Sequence, residues 1–159
     1  MSTITKIGVV VLIVVGLMLI LANRAEAPST APTNKEEATK RPDALDNWIN
    51  RLAFCESSNR PYAINQFDGG SLSYGYLQWK VDSFWRYNNR YKILPNLEKQ
   101  EVRNIIMDRD AQIELTRKVL LEEYNGRGWR NWWNCANRVG VAELTKIREY
   151  YNKNGSIPR

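Results

Sequence analysis

The chain has 159 residues and carries 23 Lys and Arg against 17 Asp and Glu, a net charge of +6. This length leaves room for one small folded domain, and the charge suits a partner such as nucleic acid, an anionic membrane surface or an acidic polymer. The chain has no histidine. His-dependent triads and His-ligated metal sites are therefore excluded, and acid–base chemistry falls to carboxylates, Tyr, Lys or the two cysteines.

An apolar segment lies close to the N-terminus. Residues 7–22 contain no charge, and their length is short for a membrane-spanning helix and long for the core of a signal peptide. Ala25-Glu26-Ala27 has the pattern of a cleavage site, but the following Pro28 disfavours cleavage. We therefore expect residues 1–23 to be an uncleaved membrane anchor, with a cleaved signal peptide or a buried core helix as alternatives. Anchored or secreted, the remainder would be extracytoplasmic, in the cell envelope.

The next segment has the composition of a linker. Residues 24–42 are rich in Ala, Pro, Thr, Glu and Lys and show no apolar periodicity. Such a segment cannot bury enough apolar surface to fold, so we expect a flexible tether. The folded domain is predicted over residues 43–159, where Asp43 can cap a first helix.

The first predicted helix carries an acidic residue on its apolar face. Apolar residues recur at helical spacing from Leu45 to Ala53, and Glu56 follows Leu45 by eleven positions, within about 20° of the same face. A buried carboxylate is costly unless it is used, and desolvation raises its pKa toward the range of a general acid. Periodicity alone leaves two interpretations open: a catalytic acid, or a carboxylate that forms a salt bridge at the rim of the core.

The remaining pattern predicts a hairpin followed by further helices. Asp68-Gly69-Gly70 between two β-prone runs indicates the hairpin turn. Downstream we expect these elements: a short helix over about 80–91 opened by Asp82 or Ser83, a helix over about 97–106, a longer helix capped by Asp110 and running to Tyr124, a compact aromatic turn over 128–135, and a last helix over about 141–153. The predicted fold class is α+β, mainly helical.

The chain has two cysteines, far apart in sequence. In a chain expected to be exported, they predict one disulfide between Cys55 and Cys135. Two unpaired buried thiols are the alternative. A metal site built on two cysteines without histidine is not expected.

Five ordered motifs resemble the catalytic domain of the resuscitation-promoting factors, the transglycosylase-like branch of the lysozyme superfamily. The resemblance covers residues 43–137. The motifs that carry it are Cys55-Glu56-Ser57, Ala63-Ile64-Asn65, Tyr74-Gly75-x-Leu77-Gln78, Gln112-Ile113 and Gly128-Trp129-x-x-Trp132-x-x-Cys135. The most specific part is the cysteine directly before the glutamate together with its partner in the aromatic turn. The resemblance implies a small lysozyme-like domain with helices around a short β-hairpin.

The resemblance also implies roles for individual residues. Glu56 matches the family's catalytic glutamate, and Cys55 and Cys135 match its disulfide. Trp129 and Trp132 match the aromatic turn, where we expect them to pack in the core. The residues expected to bind substrate, by lining or supporting the sugar groove, are Asn65, Ser73, Tyr74, Gln78, Ser83 and Gln112.

One departure bears on the reaction. Animal lysozymes have a second catalytic aspartate directly before the tyrosine of the Tyr-Gly-x-Leu-Gln motif, and this chain has Ser73 there. We interpret Asp68, the only carboxylate nearby, as a turn former. A single catalytic glutamate favours a lytic transglycosylase, in which the sugar's own N-acetyl group and 6-hydroxyl complete the reaction.

The resemblance thus implies cleavage of peptidoglycan at the β-1,4 bond between MurNAc and GlcNAc, without cofactor or metal. A hydrolytic muramidase and a non-catalytic peptidoglycan-binding module on the same scaffold are the alternatives. We expect peptidoglycan and, through the N-terminal segment, the membrane as partners, and a monomeric protein. Nucleic acid is not expected, since the Lys and Arg residues are scattered and the domain is predicted to be exported.

Overall fold

The structure is a computed structural model, and it describes residues 42–159. The predicted anchor over residues 1–23 and nearly all of the predicted linker over 24–42 lie outside the described residues. No helix within residues 42–159 combines the length and hydrophobicity needed to cross a membrane.

The described residues form a mainly helical fold with one two-stranded antiparallel sheet, which confirms the predicted α+β, mainly helical class. In chain order the helices and strands are α1 (Ala44–Ser57), β1 (Ile64–Asp68), β2 (Ser71–Tyr74), α2 (Val81–Tyr91), a 3₁₀ turn (Lys99–Glu101), α3 (Val102–Ile105), α4 (Arg109–Glu122), two 3₁₀ turns (Glu123–Asn125 and Gly128–Trp132), α5 (Trp133–Val139) and α6 (Val141–Asn154).

Helix α1 is the centre of the core. It contacts α4, α5 and α6, and its apolar face is fully buried. The face consists of Leu45, Trp48, Ile49, Leu52 and Ala53. Full burial of an aliphatic side chain stabilises a fold by about 1.5–3 kcal/mol. Burial of this face therefore holds α1, including its last turn, firmly in the core.

The start of α1 is fixed by charge as well as by burial. Asp43 accepts the Asp46 N–H at 2.8 Å, and the Asp46 carboxylate accepts the Asp43 N–H at 3.2 Å, which completes a capping box. Arg117 of α4 forms ion pairs with both carboxylates. Hydrogen bonds and the charge of Arg117 hold the pKa of Asp43 below its usual range, although its partial burial acts to raise the pKa.

Four predicted element boundaries are corrected by the structure. Lys80 precedes α2, so neither Asp82 nor Ser83 opens the helix. Asp108 caps α4 by accepting the Ala111 N–H at 2.8 Å, which leaves Asp110 in the first turn. Only residues 99–105 of the range predicted as one helix over 97–106 are helical, as a 3₁₀ turn and the four-residue helix α3. The aromatic turn over 128–135 is a 3₁₀ turn that leads into a helix, α5.

Candidate active site

The last turn of α1 carries Glu56, and the hairpin side of the fold fixes that turn. Ser58 ends α1 in the left-handed conformation, with φ 56°. Ser57 is buried, and its hydroxyl donates to the Tyr76 carbonyl oxygen at 2.7 Å. The C-terminus of the helix is thereby attached to the segment that follows β2.

A disulfide fixes the opposite side of the same turn. Cys55 is bonded to Cys135 of α5, with their Cα atoms 5.6 Å apart, which confirms the predicted pairing. No free thiol occurs in the described part of the chain. Because Cys55 directly precedes Glu56, the disulfide holds the glutamate's backbone at a set position relative to α5.

The Glu56 side chain is partly buried, and no Lys or Arg within residues 42–159 forms an ion pair with it. Burial, and secondly the negative charge of Asp68, raise the pKa of Glu56 to about 7. Among the ion pairs formed within residues 42–159, none involves Glu56. The structure therefore does not contain the rim salt bridge that the sequence left open.

Glu56 faces a polar pocket of about 500 Å³. Two of the predicted substrate-binding residues, Asn65 of β1 and Gln78, line the same pocket. Gln78 has φ 52°, and its amide group donates to the Gly75 carbonyl oxygen at 2.8 Å. Residues 130–135 and Arg138 also line the pocket, and we call them the α5 wall because most of them belong to α5.

A further carboxylate, Asp68, lines this pocket because of a β-bulge. Regular alternation along β1 would place Asp68 and Asn65, three positions apart, on opposite faces of the strand. The ladder instead pairs Asn65 with Ser73 and Asp68 with Ser71, so two residues of β1 oppose one residue of β2. The bulge turns Asp68 onto the face of Asn65 and leaves Phe67 93% exposed.

Two donors hold the Asp68 side chain. The Ser73 hydroxyl donates to its carboxylate, and the Lys80 ammonium lies 3.3 Å from the same oxygen. Ser73 is completely buried, so it supports Asp68 from behind rather than presenting a surface to a ligand. The interpretation of Asp68 as only a turn former is therefore incomplete, because its side chain faces Glu56's pocket.

Gln112 also supports the site from beneath. It is completely buried, and its side chain accepts the Leu77 N–H at 2.7 Å and donates to the Tyr74 carbonyl oxygen at 3.0 Å. A Cβ at Gly75 would lie 2.1 Å from the Gln112 amide nitrogen, so the loop after β2 needs a glycine there. Of the two roles expected for Gln112, lining or supporting the groove, these contacts match the second.

The remaining two predicted residues, Tyr74 and Ser83, line clefts beside the Glu56 pocket and not the pocket itself. Ser83 lines a cleft of about 240 Å³ whose wall shares Asp68 and Gln78 with the Glu56 pocket. Tyr74 and Ser83 lie together in a third cleft, also of about 240 Å³. The Glu56 pocket and these two clefts therefore adjoin one another through shared lining residues.

The sequence did not predict that residues of the α5 wall belong to the site. Arg130, Trp133, Asn134 and Arg138 all line the Glu56 pocket, and Trp133 is 55% exposed. The prediction of a turn over residues 128–135 did not indicate that Trp133, Asn134 and Arg138 belong to one helix. Trp132 is buried and donates to the Leu77 carbonyl oxygen at 2.7 Å, whereas Trp129 is partly buried beside the core.

The described residues contain no group of three or more Cys, Asp or Glu side chains placed to hold a metal ion. Comparison of the chain with models of protein families found no match, and comparisons with curated proteins and with solved structures found none either.

Proposed function

We propose that the protein cleaves the glycan strands of peptidoglycan at the MurNAc-GlcNAc β-1,4 bond, with Glu56 as the general acid. The observation that carries the proposal is a carboxyl group with a raised pKa that lines a polar pocket adjoined by two further clefts. The helix turn that carries this group is held by the disulfide and by the hydrogen bond of Ser57. The resemblance of the motifs around Glu56 to the resuscitation-promoting factors supplies the substrate class and a lysozyme-like scaffold. Such an enzyme would act outside the cytoplasm, where its polymer lies.

Glu56 performs the first step. Cleavage of a glycosidic bond requires a proton on the leaving oxygen while positive charge develops at the sugar's anomeric carbon. With its pKa raised to about 7, Glu56 stays protonated in some of the molecules at neutral pH, and these can donate that proton. The carboxylate left behind can then accept a proton from the group that attacks the sugar.

Asp68 changes the expected product. The preference for a lytic transglycosylase depended on the absence of a second carboxylate near Glu56, and Asp68 lines the same pocket. The Ser73 hydroxyl donates to one Asp68 carboxylate oxygen, and the Lys80 ammonium forms an ion pair with the same oxygen. An ionised carboxylate can orient an attacking water or stabilise the cationic sugar. We therefore propose hydrolysis, the muramidase reaction.

The lytic transglycosylase is the second candidate, and the products distinguish the two. We expect the full-length protein, purified in mild detergent, to release muropeptides with reducing ends from peptidoglycan, as read by mass spectrometry. Muropeptides with 1,6-anhydro ends would instead show that the sugar's 6-hydroxyl is the nucleophile, and would contradict the hydrolytic role given to Asp68.

Asp68→Asn is expected to shift the pH dependence of cleavage. Glu56 acts in its protonated form, so kcat/KM should fall as the pH rises through about 7. The negative charge of Asp68 is the secondary cause of the raised Glu56 pKa, so its removal should lower that pKa and move the alkaline limb to lower pH. The measurement is the pH profile of kcat/KM on soluble glycan strands.

Asp110→Asn is the matched control for this variant, because the Asp110 side chain is 90% exposed in the first turn of α4. It should leave the profile unchanged. An alkaline limb that stays in place in Asp68→Asn would contradict the interaction between the two carboxylates.

A further inference from the structure

The α5 wall of the Glu56 pocket carries two guanidinium groups. Arg130 lies three residues before the first residue of α5, and Arg138 lies in its last turn, and both line the same pocket as Glu56. Both side chains are exposed. Within residues 42–159 neither of them forms an ion pair with a carboxylate.

The pocket's own carboxylates do not neutralise this wall. The acidic residues that line it are Glu56 and Asp68. Asp68 is paired with Lys80, and within residues 42–159 neither carboxylate forms an ion pair with Arg130 or Arg138. The α5 side of the pocket therefore presents a positive charge to whatever enters it. Arginine is suited to bind carboxylates there, because its planar fork can donate two parallel hydrogen bonds to the two oxygens.

An exposed aromatic ring lies between the two arginines in sequence. Trp133, 55% exposed, stacks on Trp129 with the ring centroids 5.1 Å apart and the planes 29° from parallel. Trp129 is itself packed against the core, so the outer ring has a firm support. A supported indole with a free area is a suitable platform for the apolar face of a sugar.

We propose that Arg130 and Arg138 form a subsite for carboxylates that project from an amino-sugar strand, with Trp133 supporting a sugar ring between them. The proposal rests on the proposed function for its class of polymer, and it makes the pocket selective for strands that carry such carboxylates over neutral β-1,4-linked GlcNAc. In peptidoglycan the carboxylate has two possible sources. It is the stem peptide where the peptide is attached, since the lactyl carboxyl is then an amide, and the lactyl group of MurNAc where the peptide has been removed.

The subsite is tested by measuring how tightly glycan strands bind to the Glu56→Gln variant, which is expected not to cleave them. The probes for the full-length protein in mild detergent are peptide-bearing glycan strands, the same strands freed of their peptides by an amidase, and chitohexaose. We expect Arg130→Gln with Arg138→Gln to weaken binding of carboxylate-bearing strands by about tenfold or more, and to leave chitohexaose unchanged. Arg127→Gln is the matched control, since Arg127 is exposed but lines a neighbouring cleft without Glu56.

Each outcome decides a point. A loss confined to peptide-bearing strands assigns the carboxylate to the stem peptide, and a loss confined to the peptide-free strands assigns it to the free lactyl group. A loss on both kinds of strand shows that the subsite accepts either carboxylate. Equal losses on all three probes, no loss on any, or no binding by the Glu56→Gln parent would overturn the subsite. Cleavage by the unsubstituted protein is read separately: selective binding without cleavage would leave the subsite intact and refute the proposed reaction.

Discussion

Glu56→Gln should lower the rate of peptidoglycan cleavage by roughly 10²–10⁴-fold, the range that a positioned general acid contributes. The glutamine amide has nearly the size of the carboxyl group but cannot deliver a proton to the leaving oxygen. Because Glu56 forms no ion pair within residues 42–159, the substitution breaks no charged contact there, and the fold should persist. The measurements are the release of soluble muropeptides and the denaturant midpoint.

Glu114→Gln provides the control for this variant, since Glu114 is an exposed glutamate on α4. It should cleave at the unsubstituted rate. Full activity in Glu56→Gln would show that the catalytic assignment is wrong. An unsubstituted protein that binds strands but releases no muropeptide would instead identify the non-catalytic binding module.

Replacement of Cys55 and Cys135 together by serine should destabilise the protein by roughly 4 kcal/mol. The cysteines are 80 residues apart, and the chain-entropy treatment of a loop of this length gives a value of that size. Activity should fall as well, because the bond joins the residue before Glu56 to the helix that contributes to the α5 wall of the pocket. Denaturant unfolding and the rate of strand cleavage measure the two effects.

Reductant distinguishes the disulfide's contribution from that of the substitutions. It should lower the unfolding free energy of the unsubstituted protein and leave that of the doubly substituted protein unchanged. Thiol labelling under native, non-reducing conditions offers an independent test. Two reactive thiols in the protein without reductant would contradict the pairing.

Local sequence was sufficient for the part of the site that a single helix carries. The apolar spacing from Leu45 to Ala53 defines the buried face of α1, Asp43 caps it, and the same 3.6-residue period brings Glu56 toward the core rim. The Asp68-Gly69-Gly70 turn was likewise readable, because hairpin turns depend on residues next to one another in the chain. The last helix, predicted over 141–153, is observed as Val141–Asn154, because helical spacing is also a local pattern of the chain.

Contacts between distant segments of the chain determined the positions of Asp68 and Gln112. The sequence shows no sign of the bulge, and without the bulge strict alternation would turn Asp68 away from Asn65. Pairing with β2 sets that register, and Ser73 and Lys80 then hold the aspartate in the pocket. The same is true of Gln112, whose burial follows from the backbone groups of a loop some 35 residues earlier in the chain.

The α5 wall was predicted only in part from the sequence. Its aromatic residues were visible, but a run of seven helical residues is too short to be stable alone and forms where Cys135 and Ala136 are buried against the core. The sequence by itself thus determined α1, its disulfide partner and the acid at its end. Tertiary structure alone decided what faces that acid, because the register of a strand and the docking of a short helix depend on their partners.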